Sequence, residues 1–167
     1  GNVISGHTHL PQDSGVWLGI GHHNVVAGNL IGTDWTGRRA IPNDVAIDVR
    51  GHGIRIGSNV DGVSDTFERN VISGNIVTGI LIIGDDSTGT VVQGNFVGVD
   101  NSGTQPLGNG VYGIVLSNTH DNRIGGSQSS SVPVYEGDLA HYEGDSVQLP
   151  VPPTAGNVIS GNGTDGI

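Results

Sequence analysis

The acidic stretch "SNVDGVSDTFE", residues 58–68, surrounds one glycine with oxygen-bearing side chains. These are Asn59, Asp61, Asp65 and Glu68. Hard cations bind several oxygen ligands from a flexible loop, and alternating Asn and Asp followed by a later acid can supply them. The pattern predicts a calcium site. The alternative is an acidic turn that ends a strand without metal.

Histidines form a second group with metal-binding chemistry. His7 and His9 lie near the start of the chain, and His22 and His23 follow one repeat later. If the repeats stack, the two pairs come within reach of each other, with Asp13 beside them. Clusters of this kind bind zinc or copper, but the spacing matches no established ligand motif. Polar histidines in turns are the competing interpretation.

Carboxylates also recur at matching places in two repeats. Asp34 follows "IGT" and Asp100 follows "VGV", while Asp85 and Asp86 form another acidic turn. Paired carboxylates can hydrolyse glycosides, and several residues could serve as bases or as stacking rings for a sugar: Arg38, Arg39, Arg50, Arg69, Trp17, Trp35 and Tyr112. Because the repeat itself accounts for the acids, we expect no catalytic residues.

These groups are set in a repeated sequence. "NVISG" occurs at residues 2–6, 70–74 and 157–161, and related words occur at 24–32 and 90–98. Successive words are spaced by about 20 to 25 residues, and short β-like runs alternate with Gly and Asn. This pattern is typical of a β-solenoid, in which stacked coils bury a shared core.

Side-chain alternation predicts which residues face the interior. Arg123 and Arg55 each sit between two apolar residues, so the neighbours of each arginine face inward. The same register predicts an interior lined by Ile4, Val26, Ile72, Val92, Ile124, Ile159, Ile20, Ile54, Ile80, Ile82, Ile114 and Leu116. At the corner after "SG" we expect stacked polar side chains, which are His7, Asn29, Asn75, Asn95 and Asn162.

The composition limits the classes of partner. The net charge of −10 disfavours nucleic acid and anionic membranes, and no apolar run is long enough for a membrane helix. We expect no signal peptide among these residues. The absence of cysteine excludes disulfides and thiolate chemistry. The chain begins and ends inside repeats, so we expect a fragment or one unit of a longer assembly.

Several repeated motifs of the chain resemble those of one protein family. They are the stretches at 25–43 ("VVAGNLIGTDWTGRRAIPN"), 91–109 ("VVQGNFVGVDNSGTQPLGN") and 56–75, together with "NRIGG" and "GNVISGN". The chain is similar to bacterial right-handed parallel β-helix repeat proteins, which are large secreted or surface-attached chains. The resemblance implies a bacterial, extracellular or cell-surface location. Some β-helix relatives are polysaccharide lyases, in which carboxylates bind calcium and a basic residue removes a proton.

Residues 127–155 depart from that pattern, because a short turn is expected between the flanking repeats. The segment contains "YEGD" twice, seven residues apart. We expect a loop or hairpin that stands off the helix and that either carries an interaction or is a tolerated insertion. Its candidate interaction residues are Tyr135, Glu136, Asp138, Tyr142, Glu143 and Asp145.

The sequence therefore predicts one all-β domain over residues 1–167, a right-handed parallel β-helix of about seven coils and about 35 Å in length. The expected function is that of a non-enzymatic extracellular structural or adhesive protein. Both ends carry similar words, so copies could stack end to end into a filament. The alternatives are a carbohydrate-active lyase or hydrolase, and a calcium-dependent module that binds surface polysaccharide.

Overall fold

The chain folds as a stack of short parallel strands. The structure, a computed structural model, describes residues 1–8, 13–125 and 157–163. These residues contain thirteen β-strands and one short α-helix. Every strand pair in the three sheets is parallel. The predicted fold class, an all-β parallel β-solenoid, is confirmed.

Each sheet takes every third strand of the chain. The first sheet contains β1 (Val3–Ile4), β4 (Leu30–Ile31), β7 (Val71–Ile72), β10 (Phe96–Val97) and β13 (Val158–Ile159). The second sheet contains β2 (Ser14–Leu18), β5 (Val45–Val49), β8 (Thr78–Ile83) and β11 (Tyr112–Ser117). The third sheet contains β3 (Val25–Val26), β6 (Arg55–Gly57), β9 (Val91–Gln93) and β12 (Arg123–Ile124). The helix α1 (Asp65–Glu68) lies between β6 and β7.

The prediction of seven coils of 20 to 25 residues was wrong. The sheets hold five, four and four strands, so the described residues form four three-stranded coils and begin a fifth. Equivalent asparagines of successive coils are separated by 27, 41, 25 and 62 residues. The word at residues 24–32 caused the error, because it contains two strands, β3 and β4, that belong to different sheets. At about 4.8 Å per strand, the first sheet is about 20 Å long.

Isoleucine and valine fill the space between the three sheets. Strand alternation turns one row of each sheet inward, and in-register pairing stacks like on like, as in the row Val16, Ile47, Ile80 and Ile114. The core cluster includes nearly all the predicted interior residues: Val26, Ile54, Ile72, Ile80, Ile82, Val92, Ile114 and Leu116, with Ile4, Ile124 and Ile159 packed against it.

Ile20 is the exception, and its predicted interior position was wrong. Its side chain is 92% exposed. The strand β2 ends at Leu18, and the chain bends before the third sheet begins. The word "LGI" resembles the Gly-Ile strand starts elsewhere, but here it follows a strand instead of opening one.

Two hairpin loops project from the first sheet at equivalent places. Thr33 forms an antiparallel bridge with Ala40, and Val99 forms the same bridge with Pro106. The amide of Asn101 donates to the Gly37 carbonyl at 2.9 Å, which stacks one loop on the other. The loops therefore repeat with the coils. No helix in the described ranges has the length and hydropathy needed to cross a bilayer.

Candidate functional site

An asparagine precedes every strand of the first sheet, and these five side chains form one ladder. The first ladder consists of Asn2, Asn29, Asn70, Asn95 and Asn157. In each step the backbone N–H and the side-chain Nδ2 of one asparagine donate to the Oδ1 of the next, at 2.9 to 3.2 Å. Each rung therefore closes the corner between the third and first sheets.

A second ladder runs along the corner between the first and second sheets. It consists of His7, Asn43, Asn75, Asn109 and Asn162. The middle rungs are almost completely buried, and the same two donors bond to the next Oδ1 at 2.8 to 3.2 Å. The backbone N–H of His7 donates to Asn43 in the same way at 3.2 Å. Histidine thus takes the first rung, as the sequence predicted.

The prediction of a single polar corner was wrong in one respect. His7, Asn75 and Asn162 do share a ladder, but Asn29 and Asn95 belong to the other one. The sequence analysis did not identify three buried members of the ladders, Asn43, Asn70 and Asn109. It also did not identify Asn122, a buried corner residue outside the two ladders. The signal that could have found Asn70 is its place before "VIS", since the same letter precedes every strand of that sheet.

Both ladders point the same way, so the two ends of the solenoid differ in chemistry. Donors always lie on the earlier coil and acceptors on the later one. At the later end, the buried Nδ2 of Asn162 has no hydrogen-bond partner among the described residues. At the earlier end, Asn2 acts only as a donor within the described part of the chain, so its exposed Oδ1 is available. The later end thus offers a donor in the second ladder and the earlier end offers an acceptor in the first, while the first rung of the second ladder, His7, carries no amide oxygen.

The acidic turn, residues 58–68, brings the four predicted calcium ligands into one hydrogen-bonded unit. Asp65 is buried and accepts bonds from the Ser58 hydroxyl at 2.5 Å and from the Gly62 amide at 3.1 Å. Asp61 accepts from Asn59 Nδ2 at 2.9 Å, and Glu68 accepts from the Asn59 amide at the same distance. N–H and O–H donors thus already contact the carboxylates that would bind the cation.

The local bonds of this turn also shift a pKa. The Val63 amide donates to Asp61 at 2.7 Å and, as the largest cause, lowers the pKa of that carboxyl. Two residues of the turn, Val60 and Ser64, adopt left-handed backbone with φ of 60° and 62°. Within the described ranges no group of three or more His, Cys, Asp or Glu is placed to hold a metal ion. Calcium binding stays a prediction.

The predicted histidine ligands that lie in the described residues occupy two separate places. His7 lies in the second ladder, whereas the ring of His22 stacks on His52 with 4.0 Å between centroids. His23 meets His52 edge-on at 5.3 Å. His52 was not singled out from the sequence, although it follows a strand as His22 does. The fourth predicted ligand, His9, lies outside the described residues.

The equivalent aspartates close the two hairpin loops. Asp34 accepts bonds from the Thr36 hydroxyl at 2.7 Å and from the Thr36 amide at 3.1 Å. Asp100 accepts from the hydroxyl and the amide of Ser102 at 2.5 and 3.0 Å. These hydroxyl groups are the largest cause that lowers the pKa of each carboxyl. Both side chains thus hold the turn of their own loop.

The other residues considered for catalysis or sugar stacking are dispersed. Arg50 bonds to the buried Asp48 at 3.1 Å, and the exposed Arg38 and Arg39 lie in the first hairpin loop. Trp17 and Trp35 are exposed, whereas Tyr112 is half-buried and Asp85 and Asp86 lie in an exposed turn after β8. The candidate interaction residues of the insertion, Tyr135, Glu136, Asp138, Tyr142, Glu143 and Asp145, lie outside the described residues.

Comparison of the chain with protein-family models, with curated proteins and with solved structures found no match. The resemblance to bacterial β-helix repeat proteins therefore stays an expectation from the sequence words. The ladder ends are the most specific polar feature of the described residues.

Proposed function

We propose that this chain is a non-enzymatic structural or adhesive β-helix protein of the bacterial cell exterior, whose copies associate end to end. The observation that carries the proposal is the Nδ2 of Asn162, which is buried at the later end of the second ladder and has no hydrogen-bond partner among the described residues. A buried donor without an acceptor costs about 1 to 3 kcal/mol. In an end-to-end contact the residue of the next copy at this corner is His7, whose Nδ1 lies 3.1 Å from Asn43 Oδ1, so its Nε2 is the acceptor that would receive the Asn162 donor and remove this cost.

The first sheet supports the same arrangement. Its outermost strands, β1 and β13, carry the same sequence, and each leaves one edge unpaired within the described residues. An open parallel edge presents N–H and C=O groups that pair with another strand. In the proposed contact β13 of one copy pairs with β1 of the next, and Asn157 lies beside Asn2 of that copy. The contact is head-to-tail, so it propagates into a fibre.

The strand counts set the axial repeat of the proposed fibre. The first sheet holds five strands per copy, so each copy advances the fibre by about 24 Å at a spacing of 4.8 Å. The second and third sheets contain four described strands each, one fewer than the first sheet. In a fibre with the spacing of the first sheet, each of these two sheets would therefore have one strand position per copy that no described strand fills. The repeat along the fibre axis therefore distinguishes stacking through the first sheet from stacking through the other two.

Cysteine cross-linking tests the contact directly, since the chain contains no cysteine of its own. Val3 and Val158 are exposed and lie at the same strand position of β1 and β13. Adjacent parallel strands bring such positions within the Cα separation that a disulfide accepts, 4.4 to 6.8 Å. Oxidation of the double variant Val3→Cys, Val158→Cys should yield a ladder of covalent oligomers on a denaturing gel.

The matched control moves one cysteine to another sheet. Val25 is also exposed but lies in β3, so Val25→Cys with Val158→Cys should stay monomeric on the same gel. Electron microscopy of the unmodified protein at micromolar concentration should show unbranched fibres with the 24 Å repeat. Single rods, together with equal cross-linking of both double variants, would refute end-to-end association.

A further inference from the structure

A groove lies on the outer face of the first sheet, and Gly1 and Gly28 form part of its lining near the earlier end of the first ladder. It encloses about 400 Å³, and its lining includes Leu30, Val71 and Phe96 from three adjacent strands. Phe67 and Arg69, from the end of α1 and the residue after it, line the groove together with Asn101 from the second hairpin loop. This volume suits a small organic ligand.

The floor of the groove is apolar. Leu30, Val71 and Phe96 pair in register and point away from the core, because the next residue of each strand belongs to the core. Val71 is nevertheless only 2% exposed, so neighbouring groups cover it. Phe67 is 82% exposed beside this row. The groove thus combines a covered apolar floor with an exposed aromatic ring.

Arg69 is held in a fixed position at this floor. The Cζ of its guanidinium lies 4.1 Å from the centroid of the Phe96 ring, and its Nε donates to the Gly94 carbonyl at 3.1 Å. The Phe96 ring itself is packed against Gly103, where φ is 73° and a Cβ atom would collide with the ring. One nitrogen of the guanidinium is thereby committed to the protein.

No carboxylate of the described residues neutralises the charge of Arg69. Arg50 pairs with Asp48 and Arg55 pairs with Glu68, whereas within the described ranges Arg69 has no carboxylate partner. Burial lowers the pKa of its guanidinium, because the cation is partly removed from water. A half-buried cation without a carboxylate partner favours an anionic ligand at this point, and it does so against the net charge of −10 carried by the whole chain.

We propose that the groove binds a carboxylate carried on an aromatic or branched apolar body. The terminal nitrogens of Arg69 would bind the two carboxylate oxygens, which is the paired geometry that guanidinium favours. The apolar body would lie on Leu30 and Phe96, with Phe67 at its side. Asn101 supplies a polar group at the rim. The groove uses the outer face of the first sheet, whereas the proposed end-to-end contact uses the edges of its outermost strands.

Phenylacetate is the probe that tests both halves of the site, and its neutral amide, phenylacetamide, is the matched control. Titration of isotope-labelled protein should shift the NMR signals of Arg69 Nε and of the Gly28 and Asn101 amides. Phenylacetamide should bind at least about tenfold more weakly, because charged hydrogen bonds contribute about 1.5 to 3 kcal/mol. Galacturonate, whose carboxylate is carried on a polar ring, should also bind more weakly than phenylacetate.

Two variants localise the effect. Arg69→Gln should weaken phenylacetate binding at least about tenfold, whereas Arg39→Gln removes the same charge from an exposed loop and should leave the affinity unchanged. The comparison of phenylacetate with phenylacetamide on the unmodified chain decides the question even if Arg69→Gln does not fold. Equal binding of the two probes, stronger binding of galacturonate, or signal shifts outside the groove would overturn the proposal.

Discussion

The two asparagine ladders and the acidic turn are both polar networks, but they are built differently. Ladder bonds join residues 25 to 62 positions apart and are largely buried. Bonds within the acidic turn join residues two to nine positions apart, and most of them are exposed. The ladders therefore exist only when the coils are stacked, whereas the turn can close by itself.

The backbone of the coil corners is also less strained than that of the acidic turn. At the coil corners most left-handed positions are taken by glycine, for example Gly28 and Gly74, which adopt them without steric cost. The others are taken by His23, Asn118 and Asp121, whose residue types are enriched in this conformation. In the acidic turn Val60 adopts left-handed backbone although its side chain is β-branched. The coil is thus locally relaxed and depends on long-range contacts, while the turn holds local strain with local bonds.

The largest expected effect comes from removing a middle rung. Asn75→Ala takes away the Oδ1 that accepts both the backbone N–H and the Nδ2 of Asn43, so two buried donors lose their acceptor. We expect a loss of about 4 kcal/mol in the free energy of unfolding, measured by urea denaturation. Asn2→Ala, at the exposed end of the first ladder, should cost less than about 1 kcal/mol. Equal losses would contradict the distinction between buried and terminal rungs.

Relief of strain in the turn should act in the opposite direction. Val60→Gly removes the Cβ that disfavours left-handed backbone, and we expect a gain of about 1 kcal/mol in the free energy of unfolding. Val63→Gly is the control, since Val63 is exposed in the same turn and does not adopt left-handed backbone. A loss of stability in the Val60 variant would show that its side chain makes a contact that outweighs the strain.

Calcium should act on the turn and leave the ladders unaffected. If Asn59, Asp61, Asp65 and Glu68 bind the ion, millimolar calcium should raise the melting temperature of the protein by a few degrees, through preferential binding to the folded state. Asp61→Ala should abolish the rise, and Asp34→Ala should not. Melting that is unchanged by calcium and by chelator would contradict the predicted site.

Acid should open the turn before it affects the ladders. The folded pKa of Asp61 lies below its ordinary value of 3.8, so its stabilising bonds are fully present above pH 3.8 and are lost as the pH falls through the lower folded pKa. Asparagine does not titrate, so the hydrogen bonds of the ladders make no corresponding pH-dependent contribution to stability. Hydrogen exchange of the Val63 amide should therefore accelerate below about pH 4 while that of Asn70 stays slow. Simultaneous acceleration would mean that the turn and coil open as one unit.

Much of the fold could be predicted from the sequence. The alternation of side chains around Arg55 and Arg123 identified the inward-facing residues correctly, because burying an unpaired charge in the apolar core of the solenoid would cost too much free energy. The three "NVISG" words lie on one sheet, as expected from their identity. The matching positions of Asp34 and Asp100 likewise indicated a role in the repeat, and both close equivalent loops.

The coil length and the candidate sites depended on tertiary contacts. Two corners of each coil use the same residue types, Asn and Gly, so the spacing of similar words does not reveal which corner each word forms. Only strand pairing separates the first ladder from the second. The groove likewise joins Arg69 to Phe96 and Leu30 through three different strands. The sequence by itself determined the alternation, the corner chemistry and the solenoid class, because these are local properties of short words. The tertiary structure alone decided the number of coils, the exposure of Ile20 and the position of Arg69, because each follows from which coil lies beside which.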